Sequence, residues 1–364
     1  MVEYDNKITD LEKELASTKY NKATQHHIGL VKAKLAKLKE KQEARSSSGR
    51  KGDGYSVRKT GDGTVLLLGF PSVGKSTLLN DLTNAASRIG AYDFTTLTVV
   101  PGLLEYDSAK IQILDVPGIV KGAASGRGRG KEVLAVMRNA DLALIMIDVQ
   151  HPGSLDIIQK EVYDTGIRLD QKKPDVKIRK TAKNGIRIGK TVKLKVITDD
   201  TIKDILKEFR INNADVLIRD SITDDQLIDV IEGNRVYMPS IVVLNKIDLV
   251  SQAKLEEVKK KVKPDLCISA VNKSGIEQLK KLIFEKLNLI RIYMKQPKKP
   301  ADMEEPLIME KGSTVGDVCE KLHRDFITKF KFVRITGKSA KFPAQKLTLK
   351  HVLKDKDIVE LHLS

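Results

Sequence analysis

Gly69-Phe70-Pro71-Ser72-Val73-Gly74-Lys75-Ser76 follows directly on the apolar run Val65 to Leu68. The run reads as a buried strand, and the octapeptide matches GxxxxGK[ST]. The glycines let the backbone turn tightly and aim consecutive N–H groups at phosphate oxygens, while a helix opening near Lys75 adds its positive dipole end. Lys75 then reaches the β- and γ-phosphates and Ser76 ligates Mg²⁺, with Thr77 beside it in the nucleotide-binding set. A strand, a phosphate-cradling loop and a helix in succession predict an α/β fold.

Two further segments turn a phosphate site into a guanine-nucleotide site. Asp115-Val116-Pro117-Gly118 follows the strand-like Lys110 to Leu114, so Asp115 falls at a strand's carboxyl end, where α/β sheets bind ligands. There its carboxylate can hold Mg²⁺ through water, and the Gly118 N–H can sense the γ-phosphate. Asn245-Lys246-Ile247-Asp248 follows the apolar Ile241 to Leu244. The two Asp248 oxygens suit the N1–H and N2 amino donors of guanine and mismatch adenine. A site built on such bonds rejects the analogue lacking them by a factor on the order of ten thousand. Ser269-Ala270, after Leu266 to Ile268, offers the Ala270 N–H to the guanine carbonyl oxygen. Each piece alone has an ordinary reading, since Asp-x-Pro-Gly is a common turn and Asn-Lys-x-Asp can cap a helix. Their joint occurrence in this order carries the inference.

Between the cradle helix and the Asp115 strand lies Tyr92 to Thr98. A threonine hydroxyl here can close onto Mg²⁺ while a γ-phosphate is present and let go after hydrolysis. Thr96 is favoured over Thr95, the alternative being a β-rich edge strand from Thr95 to Val100. Lys75, Thr96 and Gly118 form the candidate catalytic set, and Ser76, Thr96 and Asp115 the metal set. Ras-like enzymes place a water-orienting glutamine directly after Asp-x-x-Gly, where this chain has Ile119. Isoleucine cannot hydrogen-bond water, so turnover is expected to be slow and to draw on a monovalent cation, a switch residue or a partner. The stretch Gly122 to Gly130 carries Arg127 and Arg129. A solvated loop is the favoured reading over an arginine reaching the phosphates in cis.

The cradle GFPSVGKS, the segment YDFTTLTVVPG (92–102), the run DVPGIVKGAASGRGRGKEV (115–133) and the opening NKATQHHIGLVKAKLAKLKEK (21–41) resemble the developmentally regulated GTP-binding (DRG) proteins. These belong to the Obg-like branch of translation-associated GTPases, and the resemblance covers essentially the whole chain. It implies a Ras-like P-loop GTPase domain with an inserted α+β subdomain, an N-terminal helical region and a C-terminal TGS domain. It also implies a cytoplasmic GTPase associated with ribosomes and, in some members, hydrolysis stimulated by potassium. K⁺ is thus a candidate second cofactor beside Mg²⁺. Other potassium-activated GTPases tend to carry asparagine where this cradle has Ser72. The loop from Ala91 to Thr96 is the candidate holder of the cation.

A chain of 364 residues with a formal charge of +17 has room for two or more domains and favours polyanionic partners. Ribosomal RNA fits that field, as do other nucleic acids and anionic membranes. The two cysteines, Cys267 and Cys319, are far apart and without metal-type neighbours, so they read as reduced core residues of a cytosolic protein. There is no charged-then-apolar leader and no apolar run long enough to cross a bilayer, so the expectation is a soluble cytoplasmic chain with no membrane partner.

Five segments are expected. Residues 1–60 hold a helical hairpin and a basic linker: Tyr4, Ile8, Leu11 and Leu15 space as one helix stripe and Ile28, Val31, Leu35 and Leu38 as another, with Asn21 to Thr24 supplying the break and cap. Lys32, Lys34, Lys37, Lys39 and Lys41 surround the second stripe and read equally as an RNA-facing or a solvated face. His26 and His27 read as packing or surface residues, and Arg45 to Gly54 as a flexible linker. Residues 61–165 and 238–292 form the nucleotide-binding domain, closed by an amphipathic helix from Gly275 to Leu289.

Residues 166–237 interrupt it. Asn184-Gly185 between Val176-Lys177-Ile178 and Ile186-Arg187-Ile188 predicts a type I′ hairpin, Val192 to Val196 another strand, and 201–209 and 223–231 helices. This insert has no catalytic constellation and reads as a binding or spacing module. Residues 293–364, after the linker-like Lys295 to Pro300, suggest a ubiquitin-like β-grasp with a helix from Val315 through Phe326. Its Lys329, Lys331, Arg334 and Lys338 could contact phosphates, although a solvated surface is the default.

The functional expectation is a Mg²⁺-dependent enzyme that hydrolyses GTP to GDP and phosphate and acts as a conformational switch in translation. Its expected partners are the ribosome with its RNA and a protein cofactor. The alternative is a non-catalytic RNA- or ribosome-binding scaffold that uses GTP as a structural ligand.

Overall fold

Strand β1 (Gly63–Leu68) is buried along its whole length. A strand without a solvent face needs neighbours on both edges, and β1 has parallel partners in β3 (Ala109–Asp115) and β4 (Leu142–Asp148). Outside β4 lie β10 (Ser240–Asn245) and the short β11 (Leu266–Cys267), both parallel. Outside β3, β2 (Val100–Tyr106) closes the edge antiparallel, joined through Asp107 and Ser108 at φ 49° and 66°. Two positive φ values in succession are the I′ geometry that matches strand twist. The order is therefore β11-β10-β4-β1-β3-β2. Val65 and Leu67 pack with Leu78 and Leu79 of helix α3 (Lys75–Leu82) and with Leu279 and Ile283 of the helix Ile276–Lys286. The computed structural model describes residues 2–19, 21, 24–47, 61–83, 100–115, 137 and 139–363.

A second sheet follows, of β12 (Leu289–Lys295), β13 (Leu307–Glu310), β14 (Phe330–Thr336), β15 (Gln345–Leu347) and β16 (Asp357–Leu363), in the order β13-β12-β16-β14-β15. Only β12 and β16 run parallel. The helix Val315–Leu322 covers one face, packing Val315, Val318 and Cys319 onto Ile292, Val333, Ile335 and Val359. This is the β-grasp expected for the C-terminal part. Lys295 to Pro300, read as a linker, is instead a loop inside this sheet: Lys295 ends β12, which already pairs with both β13 and β16. Proline and lysine mark any exposed turn, while the burial of Leu289, Ile290 and Ile292 ties the preceding residues to the sheet. Arg291 adds a fork to Asp355, Nε to Oδ1 at 3.0 Å and Nη2 to Oδ2 at 2.7 Å, and lies 5.3 Å over the Phe284 ring. The helix expected to reach Phe326 breaks after Leu322 and resumes as the short turn Asp325–Thr328.

These two sheets belong to one compact unit, Ser56–Thr165 with Met238–Ser364, and the other unit is Met1–Tyr55 with Gly166–Tyr237. In the latter, α1 (Val2–Ser17) and α2 (Gln25–Ser47) form the hairpin. Asn21 and Thr24 cap α2 reciprocally: Thr24 N–H donates to Asn21 Oδ1 at 2.9 Å and Asn21 N–H to Thr24 Oγ1 at 3.0 Å. The helix continues through Ser47, so Arg45 to Ser47 are helical rather than linker, and the rest of that stretch lies outside the described residues.

The insert departs from its expected topology. Strands β5 (Ile167–Leu169) and β9 (Val236–Met238) pair with each other. The main sheet is β6 (Val176–Lys180), β7 (Ile186–Lys190) and β8 (Ala214–Ile218), with β8 in the centre, antiparallel to β6 and parallel to β7. The β6–β7 hairpin is thus not formed. Asn184 and Gly185 do take the two positive φ values, 83° and 67°, but the turn is hooked onto β8: Gly185 N–H donates to Asn213 Oδ1 at 2.8 Å. Ala-Asp-Val-Leu-Ile is the most apolar strand of the three and takes the place with two neighbours, while the lysine- and arginine-bearing strands tolerate the open edges. Val192 to Val196 forms no strand and lends Leu194 to the core.

Helices Asp199–Glu208 and Asp224–Glu232 cover one face of this sheet and receive α2. A small-residue face of α2 makes the contact: a Cβ on Gly29 would stand 3.1 Å from Thr201 Cγ2, and Ala33 and Ala36 join the core of the insert. Three of the five lysines that surround the α2 stripe are accordingly paired with acids, while Lys34 and Lys41 stay exposed. Lys32 Nζ lies 3.0 Å from Asp224 and 2.7 Å from Asp225, Lys37 Nζ 3.0 Å from Glu208, and Lys39 Nζ 2.9 Å from Glu12. His26 Nδ1 meets Thr201 Oγ1 at 3.0 Å and His27 Nε2 meets Glu14 at 2.8 Å.

Candidate functional site

The chain leaves β1 into a loop that admits no Cβ at two of its positions, 69 and 74. Gly74 has φ 99°, and a Cβ there would stand 2.6 Å from Asn245 Nδ2; one on Gly69 would stand 2.9 Å from the Met146 carbonyl oxygen. Ser72 holds the left-handed region without being glycine, at φ 62°. Phe70, Pro71, Ser72 and Val73 complete the turn, with only Val73 buried. Helix α3 then opens at Lys75 with no side-chain cap and no acidic residue in its first turn. The N–H groups of that turn, including those of Ser76 and Thr77, have no partner within the helix, and the dipole favours an anion there. Both side chains are exposed.

Lys75 folds back over the loop. Its Nζ donates to the Gly69 carbonyl at 2.9 Å and the Phe70 carbonyl at 3.0 Å. An ammonium has three N–H donors, so one remains. Burial lowers the Lys75 pKa, opposed by the charge of Asp115. Asp115, at the end of β3 and alongside Leu67 in register, is 8% exposed. Burial raises its pKa, opposed by Lys75, and Oδ1 is buried without a hydrogen-bond partner. An orphaned carboxylate oxygen beside a hydroxyl-bearing helix turn is a hard-oxygen donor set that fits Mg²⁺ with water.

The base-side elements meet at the same edge. Asn245 ends β10 and is 1% exposed; its Nδ2 donates to the Val73 carbonyl at 2.9 Å, and its Oδ1 accepts from the Ala270 N–H at 3.1 Å. Ala270, expected to offer that N–H to guanine, gives it to Asn245 instead, because the Asn245 Oδ1 would otherwise be buried without this donor. Ser269 is held by reciprocal backbone bonds with Ser274, and its Oγ accepts from Asn272 N–H at 3.2 Å. Asp248 sits exposed in the short 3₁₀ turn Ile247–Leu249.

Asp148, at the end of β4, went unread in the sequence. It receives Lys246 Nζ on Oδ2 and the Gln150 N–H on Oδ1, both at 2.8 Å, and pairs in register with Asn245. Burial pushes its pKa up, but these two donors hold it below the usual carboxylate range. Its signal was a charge ending an otherwise apolar run at the level of the other site residues.

The structure thus brings the cradle, Asp115, Asn245, Lys246, Asp248, Ser269 and Ala270 to the carboxyl ends of β1, β3 and β10. That is the crevice where strand order reverses around β1 and where open α/β sheets take ligands. Thr96, Gly118 and Ile119, with Tyr92 to Thr98, Gly122 to Gly130, Arg127 and Arg129, lie outside the described residues.

Comparison with known proteins supplies the family. Residues 64–180 match a model described as a 50S ribosome-binding GTPase, 183–289 the C-terminal region of that domain, and 290–363 a TGS domain. An uncharacterized GTP-binding protein of Methanocaldococcus jannaschii is 53% identical over 361 residues, spanning 98% of this chain and 92% of its own. Developmentally-regulated GTP-binding protein 1 of Xenopus laevis is 43% identical over 359 residues, and protein 2 of Homo sapiens 41% over 357, each spanning 98% of both chains. Identity at this level along nearly the entire length means that the chain belongs to the developmentally regulated GTP-binding protein family.

Proposed function

We propose that this protein is a Mg²⁺-dependent GTPase that serves as a conformational switch on the translation machinery. The observation that carries the reading is the buried, unpartnered Asp115 Oδ1 beside Lys75 and an uncapped helix N-terminus. Water attacks the γ-phosphorus in line, a new P–O bond forms, the bond to the β–γ bridging oxygen breaks, and GDP and phosphate leave. The loop N–H groups and the third Lys75 donor hold the phosphates and neutralise charge that grows as the bridging bond breaks. Ser76, Asp115 and, from the sequence, Thr96 are the residues that would hold Mg²⁺, which when bound would supply positive charge to offset that of the phosphates. Gly118 is assigned to the γ-phosphate, Asp248 to the guanine edge, and Asn245, Lys246, Ser269 and Ala270 to shaping the base pocket.

A ribosomal partner is supported by the description of the matching domain model and by the formal charge of +17. No described helix is long and apolar enough to cross a membrane, in keeping with action in the cytoplasm. Ile119 favours slow intrinsic turnover, with K⁺ or a protein partner as the accelerant, and keeps a scaffold that merely retains GTP as the competing reading. Phosphate release under multiple turnover, with magnesium and with or without potassium, separates the two. The enzyme reading expects slow release abolished in Lys75→Ala; release absent under every ionic condition and on ribosomes leaves the scaffold.

A further inference from the structure

Residues 172–195 hold ten Lys or Arg and a single Asp, a formal +9 within a chain of +17. Their setting decides what this charge does. The acids of the insert cluster on its two helices, where Asp224, Asp225 and Glu208 engage α2. The opposite face of the sheet has no such cover among the described residues. Alternation directs Val176, Ile178, Ile186, Ile188 and Val216 into the core, so Lys177, Arg179 and Arg187 share the outer face with Asp215, Leu217 and Gly189. Lys180 and Lys183 at one end and Lys193 and Lys195 beyond β7 extend the basic rim, and all four are exposed.

We propose that this outer sheet face binds the phosphate backbone of duplex RNA. The inference rests on the reading that the protein works on an RNA-containing partner, and it adds the surface and the form of RNA. Lys177 and Arg179 stand two residues apart on one strand, about 7 Å, and Arg187 lies two strands across, about 10 Å away. Such a spread of point charges meets successive phosphates. Arg179 and Arg187 both register with Asp215, whose Oδ1 accepts Arg187 Nε at 2.9 Å. That bond orients one guanidinium and leaves its two Nη nitrogens for a phosphate. The face carries no aromatic ring; single-strand binding relies on ring stacking, whereas duplex RNA is taken through its backbone and shape. Glycine at 189 keeps the β7 edge of the face low beside Leu217.

The test uses the full chain, a labelled RNA duplex of about 16 base pairs, the span one shape-reading domain covers, and a KCl series. Lys177→Gln, Arg179→Gln and Arg187→Gln combined should weaken binding at least tenfold and lower the salt slope by about two to three. Lys34→Gln with Lys41→Gln on α2 should stay within about twofold of wild type. Photo-cross-linking of the unaltered chain should place RNA on a peptide within 172–195, a readout that needs no variant. A combined variant that binds with wild-type affinity and slope overturns the proposal, as does a cross-link elsewhere. Loss of binding to phosphatidylserine vesicles in that variant, with duplex binding unchanged, overturns it in favour of a membrane. Labelled GTP is titrated into the same samples: wild type that takes GTP but not duplex RNA sinks this surface alone, and wild type that takes no GTP sinks the GTPase reading.

Discussion

Asn245 donates from Nδ2 to the Val73 carbonyl oxygen across 2.9 Å, which makes the end of β10 and the phosphate cradle one mechanical piece. The same amide accepts from Ala270 N–H at 3.1 Å. Asn245→Ala therefore strips two buried backbone groups of their partner, a cost of about 1–3 kcal/mol in urea unfolding, and GTP affinity falls with it. Asp248→Asn separates shape from base reading. Its side chain is exposed, so stability stays within about 0.5 kcal/mol, while competition assays show preference moving from guanine to xanthine nucleotide. Unchanged guanine preference would remove Asp248 from the base-reading role.

What was legible from sequence follows from how local each constraint is. Val65 to Leu68 and Ile241 to Leu244 could be read as strands because parallel strands buried on both faces are unbroken apolar runs. The cradle was legible because its glycines are demanded by contacts within a few residues and by the adjoining strand. Long-range partners were not. Lys32 and Lys37 read as a basic helix face because their acids lie more than 170 positions downstream. Asn184-Gly185 gave its turn faithfully, yet turn chemistry says nothing about a third strand, Ala214–Ile218, that separates the two it joins. Ala270 N–H was assigned to the base because nothing local shows that the Asn245 amide needs it.

Asp115→Asn should trade stability against function. The buried carboxylate has a raised pKa in the folded chain, so the folded state binds its proton more tightly than the unfolded one. The contribution to stability is full below the ordinary carboxylate pKa and is lost as pH rises through the raised value. At neutral pH without magnesium, the neutral amide should stabilise the chain by about 1 kcal/mol, the scale of one relieved buried acceptor. The gain should shrink on acidification, and magnesium-dependent nucleotide affinity should drop. A variant less stable than wild type at neutral pH contradicts the orphaned charge.

Lys75 sets the alkaline limit of binding. Burial depresses its pKa, so in the free protein it loses its charge earlier than an ordinary lysine as pH rises. GTP affinity should decline through that region while Lys75→Arg, which keeps its charge, should not decline there. Affinity that is flat to the ordinary lysine range would mean that the ammonium is not exposed to this desolvation.

Asp229 holds the insert together from within. Arg168 donates to it in a fork, Nε to Oδ2 at 2.7 Å and Nη2 to Oδ1 at 2.8 Å, and Arg235 Nε adds a bond of 2.9 Å. The Arg168 and Asp229 side chains are 4% and 3% exposed. Removing one partner strands a buried charge, so Asp229→Ala should cost about 3–5 kcal/mol. Replacing Arg168 by Met and Asp229 by Leu together should recover most of that loss, since an apolar pair of similar volume carries no desolvation penalty. A double variant as unstable as the single one would show that the pair also fixes the geometry of β5 and the helix Asp224–Glu232.

Lys32 tests whether the N-terminal hairpin docks on the insert through charge. Burial works against its ammonium, but hydrogen bonds and charge from Asp225 and Asp224 outweigh it and hold the pKa above that of an ordinary lysine. A raised folded-state pKa contributes stability that is fully present below the unfolded value and fades as pH rises through the folded one. Lys32→Met keeps the stem that packs on the helices and removes the charge, leaving two adjacent carboxylates facing each other. The site is half-buried, so the loss should be about 1–2 kcal/mol, between the exposed and buried limits for an ion pair. Because the effect is local, amide hydrogen exchange along α2 reports it better than a global melt: protection from Gln25 to Gln42 should fall while that of β1 and β10 is unchanged. Asp225→Asn in the Lys32→Met background should restore part of it by removing the repulsion. Equal exchange in wild type and Lys32→Met would leave docking to Gly29, Ala33 and Ala36 together with Lys37 and His26.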